Sequence, residues 1–255
     1  VVFRSSVTAS NVTATNVWDK SNVKFWGAVG NGIVNDAPVF QAMLDNVGKG
    51  GLIIVPFGQY LLLTTLTSRW DNVIIRGESS AGGYSAVAGL TELVWSGTAN
   101  GFWQTNTGCL FENLSFNGGG TAGSTVYVVK ANKFENCQFR NGGIGVRFGE
   151  FVNSTTLNGC SMVDNGVGLS SLENLTTRFY VADFRIRNNG IGAVIGSCQN
   201  ATLTDGVIES NYGTGLKVTS YNNSTNAQQL VIRNVYFENN CYASNTDSIL
   251  ITAEA

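Results

Sequence analysis

Four stretches of the chain line up at spacings of 22 to 24 residues, and this repeat limits the fold more than any other feature. They begin at Phe134, Leu157, Val181 and Leu203, and each runs from an apolar strand through an Asn- and Gly-rich turn, as in Phe134-Glu-Asn-Cys-Gln-Phe-Arg-Asn-Gly-Gly-Ile-Gly-Val. Phe111-Glu-Asn-Leu-Ser-Phe precedes them and Val231-Ile-Arg-Asn-Val-Tyr-Phe-Glu follows. The apolar anchors Phe116, Phe139, Met162, Ile186 and Ile208 step by 23, 23, 24 and 22 residues. Phe237 comes after 29, so the segment from Tyr221 to Asn226 is expected to bulge out as a loop. A repeat this short cannot hold a helix pair, and the leucine ladder of leucine-rich repeats is missing. Three short strands per repeat, stacked about 4.8 Å apart, do fit: a parallel β-helix.

The alternation sets the register. Inward positions are Phe111, Leu114 and Phe116; Phe134, Cys137 and Phe139; Leu157, Cys160 and Met162; Val181, Phe184 and Ile186; Leu203, Gly206 and Ile208; and Ile232, Val235 and Phe237. One residue breaks the alternation in each repeat: Asn113, Asn136, Gly159, Asp183, Asp205 or Asn234. Asn, Asp and Gly tolerate the left-handed conformation, so these read as turn residues joining two strands. On that reading Asp183 and Asp205 are turn residues rather than stacked catalytic acids. Cys137 and Cys160 stack in the core as free thiols, because parallel stacked side chains do not readily take a disulfide dihedral.

Upstream of the repeats, Phe40, Met43, Leu44 and Val47 share one helical face, with Asn35 or Asp36 as cap and Pro38 in the first turn. Leu52-Ile-Ile-Val-Pro-Phe-Gly-Gln-Tyr-Leu-Leu-Leu reads as strand, turn, strand. Residues 1–22, rich in Ser, Thr, Asn and Val, read as an arm or linker, and 23–255 as one domain. Val23-Lys-Phe-Trp-Gly-Ala-Val-Gly-Asn-Gly, the helix, Gly50-Gly-Leu-Ile-Ile-Val-Pro-Phe-Gly-Gln-Tyr and Asn72-Val-Ile-Ile-Arg-Gly-Glu together resemble the opening of the pectate-lyase-like right-handed β-helix superfamily. The resemblance covers about residues 23–78, and phage tailspikes, alginate epimerases and fungal exo-glucanases share that opening. It implies an all-β, right-handed parallel β-helix of about eight rungs, capped by a short N-terminal α-helix over about 36–47. Asn31 and Asn35 stand where the superfamily usually has Asp. The polygalacturonase Gly-His-Gly and pectate-lyase Arg-x-Pro-x-x-Arg elements are missing, so the resemblance does not extend to a plant-pectin enzyme.

Composition narrows the chemistry. The chain has no His, so imidazole bases, Ser-His-Asp triads and His-bound zinc are excluded. No cofactor and no metal site are implied. A net charge of −2 with no basic block argues against nucleic-acid binding. No apolar run approaches a membrane span of about 18 residues. Five scattered Cys without a Cys-x-x-Cys pair favour synthesis in a reducing host cytoplasm.

The register places Glu112 and Glu135 at equivalent outward positions of adjacent rungs. Carboxylates about 5 Å apart match the pair of retaining glycosidases, and mutual repulsion leaves one of them protonated. Arg140, Arg185, Arg187 and Lys133 project nearby and suit an acidic sugar. Among aromatic residues, Tyr180 and Trp103 lead as sugar-stacking candidates, followed by Trp95, Tyr212 and Tyr221. Asp164, Glu209 and Glu238 are further outward acids, with Glu209 expected beside Arg187.

The reading that follows is a phage tailspike or tail-fibre protein of the virion tail. Its partners are a host surface polysaccharide, other tail proteins and two further copies of the chain in a parallel homotrimer, with Val163, Val194, Val207 and Tyr236 available for side-to-side contacts. The alternatives are a secreted monomeric hydrolase, lyase or epimerase, and a non-catalytic structural virion protein; cleavage by glycosidase or lyase chemistry stays open. No capping helix follows Phe237, so the last rung is expected to be covered by another subunit or by further chain.

Overall fold

A computed structural model describes residues 20–78, 90–96, 103–104, 107–149, 152–171, 176–196, 198–219, 229–242 and 248–252. The strands stack as a parallel β-solenoid of about seven turns, a right-handed β-helix. From Leu110 onward each turn contributes to three faces. The first face runs from Leu52–Val55 through Ile74–Gly77, Leu110–Glu112, Lys133–Glu135, Thr155–Asn158 and Thr176–Ala182 to 198–204 and 230–233. The second carries Asn31–Asn35, Gly58–Leu62, Thr91–Trp95, 115–117, 138–140, Ser161–Val163, Arg185–Arg187, 206–209 and 235–238. The third carries 124–128, 144–148, Val167–Ser171, Ile191–Ile195, Leu216–Thr219 and Ile249–Thr252. Every pairing is parallel, and equivalent residues of successive repeats are register partners, for example Phe111 with Phe134 and Phe139 with Met162.

The inward set matches the alternation. Phe116, Phe139, Met162, Ile186 and Ile208 are all fully buried. Rings on successive rungs lie face to face, Phe111 on Phe134 at 4.8 Å and Phe116 on Phe139 at 5.3 Å. Strand spacing and ring stacking distance nearly coincide, so an aromatic column fits a β-helix core without strain. Cys137 and Cys160 stack in the same core, and all five cysteines are free. Burial, reinforced by the neighbouring Cys160 thiol, pushes the Cys137 thiol well above its ordinary range.

The helix spans Ala37–Asn46 with Phe40, Met43 and Leu44 buried and Pro in its first turn. Its two capping candidates divide the work. The Asn35 side chain accepts from the Ala37 N–H at 3.2 Å. The Asp36 carboxylate turns away and accepts from Val29 N–H and Gly30 N–H, at 2.7 and 2.9 Å.

The outward apolar residues offered for side-to-side contact need correction. Val163 and Val194 are each only 5% exposed. Val163 lies in register between Arg140 and Arg187, whose long stems can lie over it. Val194 lies between Ser170 and Lys217. Outward register therefore does not mean accessible; Val207 is half-buried and Tyr236 is 59% exposed. At the last first-face rung the inward Ile232 is 40% exposed, because among the described residues no strand lies beyond it. The segment from Tyr221 to Asn226 and residues 1–19 of the proposed arm lie outside the described residues.

Candidate functional site

The turn between the first and second faces is made by one left-handed residue per rung. Asn113, Asn136, Gly159, Asp183, Asp205 and Asn234 have φ of 55°, 51°, 63°, 46°, 54° and 51°. A single such residue bends the chain sharply, so the two faces meet at a concave corner. Along this corner runs a groove of about 470 Å³. Asn136, Gly159, Asp183, Asp205 and Asn234 line it, together with Ser161, Arg185 and Val207 of the second face. Asp183 and Asp205 are therefore turn residues and groove residues at once. In adjacent parallel rungs their backbones stand about 4.8 Å apart. Asp205 accepts from Asn234 Nδ2 at 2.9 Å and from Thr204 Oγ1 at 2.8 Å. The Asn234 amide first, then the Thr204 hydroxyl, holds its carboxyl below the usual range.

Glu112 and Glu135 are register partners on the first face. Each faces a different cation: Glu112 pairs with Arg76 at 2.6 Å and Glu135 with Lys133 at 2.9 Å. Neither lines the groove, although both stand one residue before its turn column. The arginines fare differently again. Arg140 donates through Nε and an Nη to Glu92, at 2.9 and 2.5 Å. Glu92 is 2% exposed and also accepts from Gln59 and Asn117. Arg185 pairs with Glu209 at 3.3 Å, although Glu209 is in register with Arg187. Arg187 keeps a buried Nε without a hydrogen-bond partner. Tyr180 is 40% exposed on the first face, three residues before Asp183. Trp103 pairs with Leu66 through its backbone; its side chain and Tyr221 lie outside the described residues. Trp95 is buried, and Tyr212 packs on Tyr242 at 4.8 Å near the other turn. Asp164 lines a separate hollow at that second turn.

The sequence reading missed two features. Glu92 lies before the repeats begin to align, so no register assigned it a partner. The second feature is an asparagine ladder inside the second turn, at Asn165, Asn189, Asn211 and Asn240. The side-chain amides of Asn165, Asn189 and Asn211 each donate to the next Oδ1, at 3.1, 3.0 and 2.8 Å. The same amides, and that of Asn240, reach back to the carbonyls of Phe139, Met162, Ile186 and Ile208. A signal was present: in each rung a left-handed Asn, Asp or Ser precedes the ladder Asn, as in Asp164-Asn165 and Asn188-Asn189.

No protein family matches the sequence, and no curated protein matches it. Solved structures match in fold. The chain is similar to the A-module of the mannuronan C-5 epimerase AlgE4 of Azotobacter vinelandii, with 17% identity and a TM-score of 0.58 over 90% of this chain and 80% of that one. It is similar to the Agl-KA catalytic domain, with 15% identity and a TM-score of 0.65 over all of this chain and 53% of that one. It is also similar to the enzymatically active domain of tailspike protein 2 of bacteriophage CBA120, with 13% identity and a TM-score of 0.60 over 92% of this chain and 46% of that one. The chain thus spans about half the length of the last two. At such identities the likeness shows the fold alone.

Proposed function

We propose that the chain is the receptor-binding β-helix of a phage tailspike, a virion tail component that meets a host surface polysaccharide along the first-turn groove. The observation that carries this reading is the groove itself, an open corner lined by a turn column that repeats at the rung spacing, with two carboxylates on adjacent rungs, two amides and a hydroxyl, which suits a linear polymer of hydroxylated rings. The exposed ring of Tyr180, on the first face three residues before Asp183, supplies a stacking surface beside the turn column. Likeness in fold to a tailspike domain adds support. The proposal includes a parallel homotrimer attached to other tail proteins.

The test is binding to bacterial capsular and lipopolysaccharide glycans, with Val207→Trp as the groove-blocked variant. Binding by the parent, lost in the variant, is the expected result; binding that survives the block places the glycan elsewhere. Sedimentation at three chain masses is expected, whereas a stable monomer favours a secreted polysaccharide enzyme. That second reading has its own observation, two carboxylate pairs on adjacent rungs, Glu112 with Glu135 on the first face and Asp183 with Asp205 in the turn column. Release of new reducing ends or unsaturated sugars would establish cleavage. Glu112→Gln and Glu135→Gln, set beside Asp183→Asn and Asp205→Asn, then assign the reactive pair, since losing a general acid or base lowers the rate about 10²–10⁴-fold.

A further inference from the structure

The groove's charges and hydrogen-bonding groups narrow what kind of glycan it takes. Asp183 and Asp205 are exposed along it, one rung apart. Two of the cations expected on this side are already engaged: Arg140 by the buried Glu92, and Arg185 by Glu209, with side-chain exposures of only 16% and 20% for the latter pair. Arg233, beside Asp205, leans on Thr204 at 3.4 Å and is not among the lining residues. Ser161 supplies an independent sign. It lines the same groove, in register with Arg185, and is 3% exposed. Its hydroxyl has no hydrogen-bond partner. Buried polar groups are nearly always paired, and one left unpaired beside a cavity has its bonding capacity in reserve for an occupant.

We infer that the groove recognises an uncharged, hydroxyl-rich stretch of glycan, with ring hydroxyls donating to Asp183 and Asp205 and pairing with Ser161 Oγ. The inference rests on the reading that the groove takes polysaccharide, and it names the class. Ionised carboxylates only accept, sugar hydroxyls donate, and O–H to carboxylate bonds are among the stronger ones. A uronate, sialate or phosphate would instead bring a further negative charge against two carboxylates about 4.8 Å apart. The competing site is Arg187, two residues beyond Arg185 and outside the groove lining, where an acidic substituent could meet a guanidinium.

The experiment is a panel of bacterial surface polysaccharides sorted by charge, with mannan and polygalacturonate as neutral and acidic reference probes. Parent protein is compared with Ser161→Ala, Asp183→Asn and Arg187→Gln. The first two should fold as the parent does, since the Ser161 hydroxyl bonds to nothing and Asn already occupies the Asp183 column at three other rungs. Thermal melting checks this. The expected result is binding confined to neutral glycans, weakened about tenfold or more by Ser161→Ala and Asp183→Asn and unchanged by Arg187→Gln. Binding confined to acidic glycans and lost with Arg187→Gln overturns the inference and leaves the proposed function standing. Neutral binding indifferent to Ser161 and Asp183 also overturns it. No binding to either class overturns the proposed function, and the inference with it.

Discussion

The two turns of each rung use similar residues to opposite ends. At the first turn, Asn113, Asn136, Gly159, Asp183, Asp205 and Asn234 form one left-handed column whose acidic members are exposed. At the second, a left-handed Asn, Asp or Ser is followed by Asn165, Asn189, Asn211 or Asn240, and this second residue points inward. Asn189 and Asn211 are fully buried. Inside, composition does not vary: only an amide of this length both donates to the rung carbonyls and accepts from the neighbouring amide, and any group left unpaired there is costly. Outside, water serves as an alternative partner, so the column drifts among Asn, Gly and Asp. The invariant column is scaffold, and the varied column is where the chain can carry recognition.

The sharpest way to break this comparison is to remove one amide from the buried ladder. Asn189 donates to Met162, Arg187 and Asn211 and accepts from the Asn165 backbone and side chain. Asn189→Leu strands several of these groups, each worth about 1–3 kcal/mol when buried and unsatisfied. A loss of roughly 3–5 kcal/mol in urea unfolding is expected; a loss under about 1 kcal/mol would erase the distinction between the columns.

Next comes packing beside the first turn. A Cβ on Gly206 would meet the Phe184 ring at 2.4 Å. Gly206→Ala should therefore cost about 1–3 kcal/mol through overpacking, measured by the same denaturation. In contrast, Asp183→Asn on the exposed column should change stability by no more than about 0.5 kcal/mol.

The smallest effect is a titration. Asp205 accepts from Asn234 and Thr204, so its folded pKa lies below the unfolded value. Its contribution is present at neutral pH and is lost as pH falls through the folded value. Carbon-detected NMR should find Asp205 titrating below an ordinary aspartate, and Asn234→Ala should move it upward. A midpoint unmoved by that change would show that the Asn234 amide is not the main cause.

Much of this molecule is legible in the chain. Alternation within each repeat identified the inward residues from Phe111 to Ile208, because strand side chains alternate strictly and a parallel stack places each residue on its equivalent one repeat away. The residue that breaks the alternation located the first turn, since only a few side chains accept positive φ. The groove was less legible: Asp183 and Asp205 are turn residues by pattern, and nothing in the pattern says whether the corner they make is open.

Sequence by itself determined the period, the register and the core of this protein, because these follow from short-range geometry repeated along the chain. Tertiary structure alone decided which charged groups meet. Glu112 has two register partners, Arg76 and Glu135, and pairs with Arg76, while Glu135 pairs with Lys133 two residues before it on its own strand. Glu209 passes over its register partner Arg187 for Arg185. Arg140 crosses to Glu92, 48 residues away in the chain. Backbone spacing constrains the Cα atoms, while a long flexible side chain reaches several neighbouring sites, and burial and the competing partners at each site select among them.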